Sequence, residues 1–467
     1  MRPLPLSRIA AWTGGRVHGA DATVDAVAID TRTFAAGDNR AILFVALKGE
    51  RFDGHDHAAA AVAAGARAVL VARVLPLDVP QLVVADTERA LGDFAGALQR
   101  GRGTRIAAVT GSNGKTSVKT MLLPILQRMA GGDGSGAHAN PGNRNNEIGL
   151  PLAVIDAPED AAYAVYEMGA GKPGDIAYLT RIARPDAALV NNIAPAHLER
   201  LGSLLGVADT KAAIYDALPP DGVAVINADD AFAPYFAERA HGRRLLRFGL
   251  EASADVTARD IVADAEGSRF VLATPAGDIA VAVALPGRHN IRNALAAASL
   301  ALGLGASLDA IRDGLAAARP VAGRLVQHAL RSGATLVDDS YNANPGSLNA
   351  AIELLASGAR PGWLVLGDMR ELGDDARALH AEAGRRAKAA GIARLYALGP
   401  LSAATVDAFG AGARHFDDHE ALAQALAGEL AATAPGAAPV VLVKGSRGSA
   451  MDKIVKALLE GEAADAA

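Results

Sequence analysis

The chain has 467 residues, 46 basic and 51 acidic for a formal net charge of −5, and no cysteine. Disulfides, thiolate metal centres and a cysteine nucleophile are thereby excluded, and without a basic stripe interleaved with aromatics nucleic acid is not an expected partner. At roughly 150 residues per domain two to four domains are expected; no apolar run reaches the ~18 residues that span a bilayer, and MRPLPLSRIAAWTGG has no signal-peptide core, so a cytoplasmic enzyme is the expectation.

Residues 1–100 mix short strands, LFVAL (43–47), AVLVA (68–72) and QLVVA (81–85), with the helical segment HAAAAVAAG, and hold no phosphate loop. RIAAVT (105–110) is then a short β-branched run, TGSNGKTS (110–117) follows, and SVKTMLLPILQRM (117–129) carries apolar residues at helical spacing. A glycine-rich turn from strand to helix aims backbone N–H groups and the positive end of the helix dipole at one spot, which suits a polyphosphate. Lys115 would reach the β- and γ-phosphates and the Thr116 hydroxyl Mg²⁺. Val109 stands where the longer pattern has its first glycine, so this is the shorter GxxGKT form; the bland alternative is a turn with a solvated lysine. Pro124 lies well inside the helix and is expected to kink or shorten it.

Strands AYAVYEM (162–168), DAALVNN (186–192) and GVAVINA (222–228) alternate with helix-length stretches, which implies a helix-covered, mostly parallel sheet. From about 323 the pattern restarts with ATLVDDS (334–340), WLVLGD (363–368), RLYALG (394–399) and VVLVKG (440–445), a second Rossmann-like unit. Ligands in such sheets lie beyond the carboxyl ends of strands. Glu167 ends one strand, where a carboxylate meets a metal held by Thr116 or is merely solvated; His197 follows the next, where a lone histidine is more often a hydrogen-bonding or core residue than a ligand. Lys211 sits on a helix, where most lysines are solvated. Asp338 and Asp339 end another strand, to bind ribose or to cap the next helix, and Lys444 and Arg447 flank a glycine turn that suits a carboxylate or phosphate.

Taken in order, TGSNGKTS, NPGNRNNEIGLP (140–151), EMGA (167–170), NNIAPAHLE (191–199), LPGRHNIRNALAA (285–297), GRL (323–325), DDSYNANPGS (338–347), LGDMRELG (366–373) and LVKGSRGSAM (442–451) resemble the successive blocks of the Mur ligases. DTR (30–32), LFVALKGERFDGHD (43–56) and DDSYNANP resemble the branch that adds D-alanyl-D-alanine, and argue against a sister ligase or a folylpolyglutamate-synthase-like one. The resemblance implies a three-domain α/β enzyme. Residues 1–100 would bind the UDP-sugar peptide, 101–322 would form the central P-loop ATPase domain with a parallel sheet, and 323–467 a C-terminal Rossmann-like domain. It further implies an ATP-dependent ligase that couples D-alanyl-D-alanine to UDP-MurNAc-tripeptide through an acyl phosphate, in cytoplasmic peptidoglycan precursor synthesis, and acts as a monomer. A P-loop ATPase without ligase activity is the competing class.

Carried over by position, Gly111, Ser112, Asn113, Gly114, Lys115, Thr116 and Ser117 would hold the phosphates of ATP. Thr116 and Glu167 would hold a first Mg²⁺, and His197 a second, helped by Lys211, which matches a lysine carbamylated in related ligases. Lys115, His197 and Lys211 are thus the expected catalytic set. Asn290 matches an adenine-contacting asparagine, and Arg324 and Asp338 match groups that approach ATP from the third domain. Thr31, Arg32, Lys48, Gly49 and Asn143 are candidates for the UDP-sugar end, Asn344 and Lys444 for the dipeptide. The chain departs from the family pattern at NRAI (39–42), read as four extra residues, and at Ala322, where a proline is usual.

Overall fold

The computed structural model describes residues 1–34, 39–49, 52–131, 134, 136–195, 198–264, 266–434 and 436–464. Its strands fall into separate sheets, one group in each third of the chain.

In the first, Arg16–His18, Gln81–Val83, Ala68–Val71, Ile42–Val45 and Ala26–Ala28 lie side by side in that order, all parallel except the first pair. The helix Thr87–Arg100 follows, its start capped by the Asp86 carboxylate, which accepts from the N–H groups of Glu88 and Arg89. It packs on helices Gly149–Asp156 and Asp175–Ala183 of the next unit. Gly92 makes that approach possible: a Cβ there would collide with the Tyr178 hydroxyl.

The second unit is a six-stranded, wholly parallel sheet ordered Arg244–Phe248, Val223–Asn227, Ala187–Val190, Arg105–Thr110, Tyr163–Glu167, Ala137–Ala139. Its inner strands are buried along nearly their whole length, which is why they read as continuous apolar runs rather than alternating ones. One face packs against helices Lys115–Met129, Arg288–Gly303 and Leu308–Ala317 through Val118, Met121, Ile125, Ala294 and Leu315. The other packs against Asp175–Ala183 and Leu204–Asp216 through Ile176, Leu179, Ala208 and Ala212. From Arg105–Thr110 the chain moves to one side of the sheet and then back to the other, so the carboxyl end of that strand is the topological switch point.

Two sequence expectations need correction. Of the kink or shortening expected at Pro124, shortening does not occur: the helix after the phosphate loop runs from Lys115 to Met129. The stretch 257–283 is a three-stranded antiparallel sheet, Thr257–Ala263, Ser268–Thr274 and Gly277–Val283, that the sequence reading passed over.

The third unit orders Val326–Ala329, Thr335–Asp339, Val440–Lys444, Gly362–Gly367, Arg394–Leu398 and Ala413–Phe416, with only the first pair antiparallel. It meets the second unit across a cleft of about 1160 Å³.

Candidate functional site

The cleft floor is the loop between Arg105–Thr110 and Lys115–Met129. Gly114 caps the helix with φ 79°, a left-handed conformation that glycine adopts without strain. Space is the second reason for glycine: a Cβ would collide with Asn293 Oδ1 and lie 2.5 Å from Asn191 Nδ2. These amides hold the loop in place. Asn191 Nδ2 donates to Asn113 O (3.0 Å) and to Asn293 Oδ1 (3.1 Å), Asn293 Nδ2 to Asn290 Oδ1 (3.1 Å), and Asn290 Nδ2 to Pro286 O (2.8 Å). Asn192 adds a two-way clasp: its Oδ1 accepts from Asn113 N at 2.8 Å and its Nδ2 donates to Asn113 O at 3.1 Å.

Lys115 folds back so that Nζ donates to Gly111 O at 2.7 Å. Burial pushes its ammonium down, the nearby Arg324 charge adds to that effect, and Glu167 opposes it. One turn further along the helix, Lys119 is buried and spends its ammonium on Asn140 O (2.9 Å), Gly142 O (2.9 Å) and Glu167 Oε2 (3.2 Å). Glu167, 3 % exposed, also accepts from Thr116 Oγ1 at 2.8 Å and Asn145 Nδ2 at 2.8 Å. Burial alone would raise its pKa, but Lys119, Lys115 and the Thr116 and Asn145 hydrogen bonds outweigh it and hold the carboxyl below the usual range.

Thr116 and Glu167 offer a hydroxyl and a carboxylate, hard oxygen donors that fit Mg²⁺. Among the described residues no cluster of three or more His, Cys, Asp or Glu is placed to hold a metal ion. His197 lies outside the described residues. Lys211 lines the same cleft at 1 % exposure; burial first, and the Lys115 charge second, lower its pKa to about 7.

From the third unit, Arg324, Asp339, Tyr341, Asn344 and Lys444 face the floor. Register places Asp339 beside Lys444 on the neighbouring strand, with Nζ to Oδ2 at 2.6 Å; the same Nζ donates to Asn342 O at 2.9 Å. Asp338, the residue chosen from sequence, turns instead to the Ser340 N–H and hydroxyl and is not part of the cleft wall. Successive strand residues point to opposite faces, and sequence alone does not say which of the two faces inward. Asn344 caps the helix Pro345–Ala356 in a reciprocal box with Ser347, and its Nδ2 crosses to Asn113 Oδ1 of the phosphate loop at 2.7 Å.

Ser112, Asn113, Gly114, Lys115, Thr116, Ser117, Asn143, Glu167, Lys211, Asn290, Arg324, Asn344 and Lys444 therefore share one cavity. Thr31, Arg32, Lys48 and Gly49 do not line it. The Arg32 side chain, 88 % exposed, forks onto Asp30, and Lys48 pairs with Asp53 in a β-bridge on the N-terminal unit. Sequence reasoning missed Lys119, Asn191 and Asn192. Lys119 carried a usable signal, since it lies four residues after Lys115 and so on the same helix face.

Three family profiles match the chain: "Mur ligase family, catalytic domain" over residues 23–97, "Mur ligase middle domain" over 109–301, and "Mur ligase, glutamate ligase domain" over 323–447. The UDP-N-acetylmuramoyl-tripeptide--D-alanyl-D-alanine ligase of Escherichia coli K12 is 45 % identical over 463 residues, spanning 98 % of this chain and 99 % of the relative. A crystal structure of MurF from Acinetobacter baumannii superposes with a TM-score of 0.92 at 32 % identity, covering 98 % of this chain and 99 % of that one. MurF ligase from Thermotoga maritima, solved in complex with ADP, gives 0.82 at 28 % identity over 95 % and 99 % of the two chains.

Proposed function

The chain belongs to the Mur ligase family, and from that premise we infer that it is the ATP-dependent ligase that couples D-alanyl-D-alanine to the tripeptide of UDP-N-acetylmuramoyl-tripeptide, yielding the pentapeptide precursor of peptidoglycan. The observation that carries the reading is the convergence of two units on one cleft: the phosphate loop with Thr116 and Glu167 on one side, Arg324, Asp339 and Lys444 on the other. A simple ATPase needs only the first wall; a ligase must gather three anionic partners, and cations from both walls suit that task.

A carboxylate oxygen of the tripeptide attacks the γ-phosphorus and ADP leaves, giving an acyl phosphate. The dipeptide amine then adds to the acyl carbon, and the tetrahedral intermediate expels phosphate as the amine loses its proton. Backbone N–H groups of residues 111–117 and Lys115 cradle the phosphates, with Lys115 leaving its resting bond to Gly111 O for them. Thr116 and Glu167 would hold a Mg²⁺, which supplies charge neutralisation between the phosphates; His197 and Lys211 are assigned to a second. Lys211 is a candidate for carbamylation because that reaction needs a neutral amine, and a pKa lowered to about 7 supplies one at cellular pH. Carbamylation would turn a stranded ammonium into an anionic oxygen donor. Asn290, which lines the cleft, is assigned to the adenine edge; it keeps one N–H and one lone pair beyond its bonds to Pro286 and Asn293. Arg324 would meet the phosphates; the part first given to Asp338 passes to its neighbour Asp339, which faces the cleft. Asn344 and Lys444 are assigned to the dipeptide and Asn143 to the nucleotide-linked peptide; all three line the cleft. Thr31, Arg32, Lys48 and Gly49 are assigned to the UDP end on the N-terminal unit. No helix among the described residues is long and apolar enough to cross a membrane; a cytoplasmic monomer is the working assignment.

The test is phosphate release from Mg·ATP with UDP-MurNAc-tripeptide, with and without D-alanyl-D-alanine, alongside mass spectrometry for the pentapeptide. Release that requires both substrates and yields pentapeptide supports the reading. Equal turnover without them, and no pentapeptide, refutes it in favour of an ATPase.

A further inference from the structure

Arg324 occupies an unusual stretch of backbone. Gly323 (φ 74°) and Leu325 (φ 57°) on either side of it are both left-handed, and the Arg324 N–H closes a turn onto Val321 O at 2.9 Å. The segment is tied to the loop after strand Thr335–Asp339, because the Tyr341 N–H donates to Gly323 O at 3.1 Å. The guanidinium then lies over the Tyr341 ring, with Cζ 4.4 Å from the ring centroid. Both side chains line the cleft, and the Arg324 charge is felt at Lys115 and at Asp339.

Among the described residues, what holds this guanidinium is the ring: no hydrogen bond or carboxylate engages it. That contrasts with Lys444, committed to Asp339 and Asn342 O, and with Lys119, committed to Glu167 and two carbonyls. An aromatic face attracts a cation without consuming its N–H groups, so Arg324 is aimed while, among the described residues, its five donors are left for an anion. A carboxylate in the same place would aim it equally well but would neutralise it and occupy its fork. We propose that Tyr341 is the positioning residue for Arg324, acting through its ring face rather than its hydroxyl, so that the guanidinium is presented unpaired to the polyphosphate. The second cation at this ring, Arg447 with Cζ 5.9 Å from the centroid, is the more distant of the two and is exposed.

The inference rests on the assignment of Arg324 to ATP, and the experiment separates the two. Full-length Tyr341→Phe, Tyr341→Leu, Arg324→Met and the double variant Tyr341→Leu/Arg324→Met are compared by kcat and KM for ATP in the pentapeptide assay. Tyr341→Phe keeps the face and is expected within about twofold of the parent, whereas Tyr341→Leu loses about tenfold in kcat/KM for ATP. With the arginine already absent, the ring has nothing to aim, so the double variant is expected within about twofold of Arg324→Met alone. A ring that served only to pack would instead give additive losses, which overturns the proposal. It is equally overturned if Tyr341→Phe falls as far as Tyr341→Leu. Tyr341→Met is the second ringless variant should the leucine variant fail to fold. If Arg324→Met leaves kcat/KM for ATP unchanged while pentapeptide still forms, the assignment of Arg324 fails and takes this inference with it, and the ligase reading stands.

Discussion

Replacing Lys119 by Met would strand Glu167. In the native protein both side chains are almost wholly covered, at 8 % and 3 % exposure, with Nζ and Oε2 3.2 Å apart. Their mutual attraction is little screened, but each charge has lost its hydration, so removing one partner costs more than the pair itself contributes. Breaking a buried pair of this kind costs about 3–5 kcal/mol, and two bonds to the carbonyls of Asn140 and Gly142 go with it. For a unit of about 200 residues that is a fall of roughly 6–20 °C in the midpoint of its thermal transition. The pH dependence gives a second handle. Glu167 has a native pKa below its ordinary value, so its contribution is present above about pH 4.3 and is lost as pH falls through the depressed native value. Without Lys119 the largest influence that lowers this pKa is gone and the native value rises, so the variant's deficit is greatest at neutral pH and shrinks as pH falls toward about 4.3. The assay is urea unfolding of wild type, Lys119→Met and Lys119→Met/Glu167→Gln between those pH values. The double variant leaves no bare charge and should recover most of the loss. A single-variant cost under about 1 kcal/mol, or a double variant that is additive, would refute the reasoning.

Three further outcomes are expected. Gly114→Ala forces a left-handed alanine, worth about 1–2 kcal/mol, and drives a methyl into the amides of Asn191 and Asn293, so calorimetric ADP binding should fall at least about tenfold while the far-UV spectrum is kept; unchanged affinity would contradict the loop geometry. Lys211 has a native pKa below its unfolded value, so its unmodified burial is a penalty that grows as pH falls from about 10 to 7 and is constant below that. Lys211→Met should therefore be more thermostable than bicarbonate-free wild type at pH 6, with the gap closing toward pH 9, and inactive at both; a gap independent of pH counts against the assignment. Asn344→Ala removes a helix cap and the bond across the cleft to Asn113, costing about 1 kcal/mol in the third unit and raising KM for ATP severalfold; equal KM values would mean the crossing bond is idle.

Much of this architecture was legible because parallel strands buried on both faces leave long apolar runs: RIAAVT is the strand Arg105–Thr110 residue for residue. The antiparallel sheet was harder to read. Thr257–Ala263 is half-exposed and polar in part, TARDIVA, and its alternation is interrupted by a register shift between Arg259 and Val262, where Asp260 has φ 52°. At the site, the strand-end rule located Glu167, but it treats neighbouring residues alike and so could not choose Asp339 over Asp338. Asn191 and Asn192 look like a polar strand end in one dimension; only the fold brings them under a loop about eighty residues earlier, at Asn113.

The run of amides beneath the phosphate loop has a direction. It begins at one backbone acceptor, Asn113 O, and ends at another, Pro286 O, whose own residue has no N–H to offer. Turning any one amide over would set like against like at both of its neighbours, oxygen against oxygen or N–H against N–H. Asn191, Asn293 and Asn290 thus behave as a single inherited word rather than three letters: exchange of one for aspartate leaves its neighbours misspelt, and drift through this patch must proceed by concerted replacement or not at all.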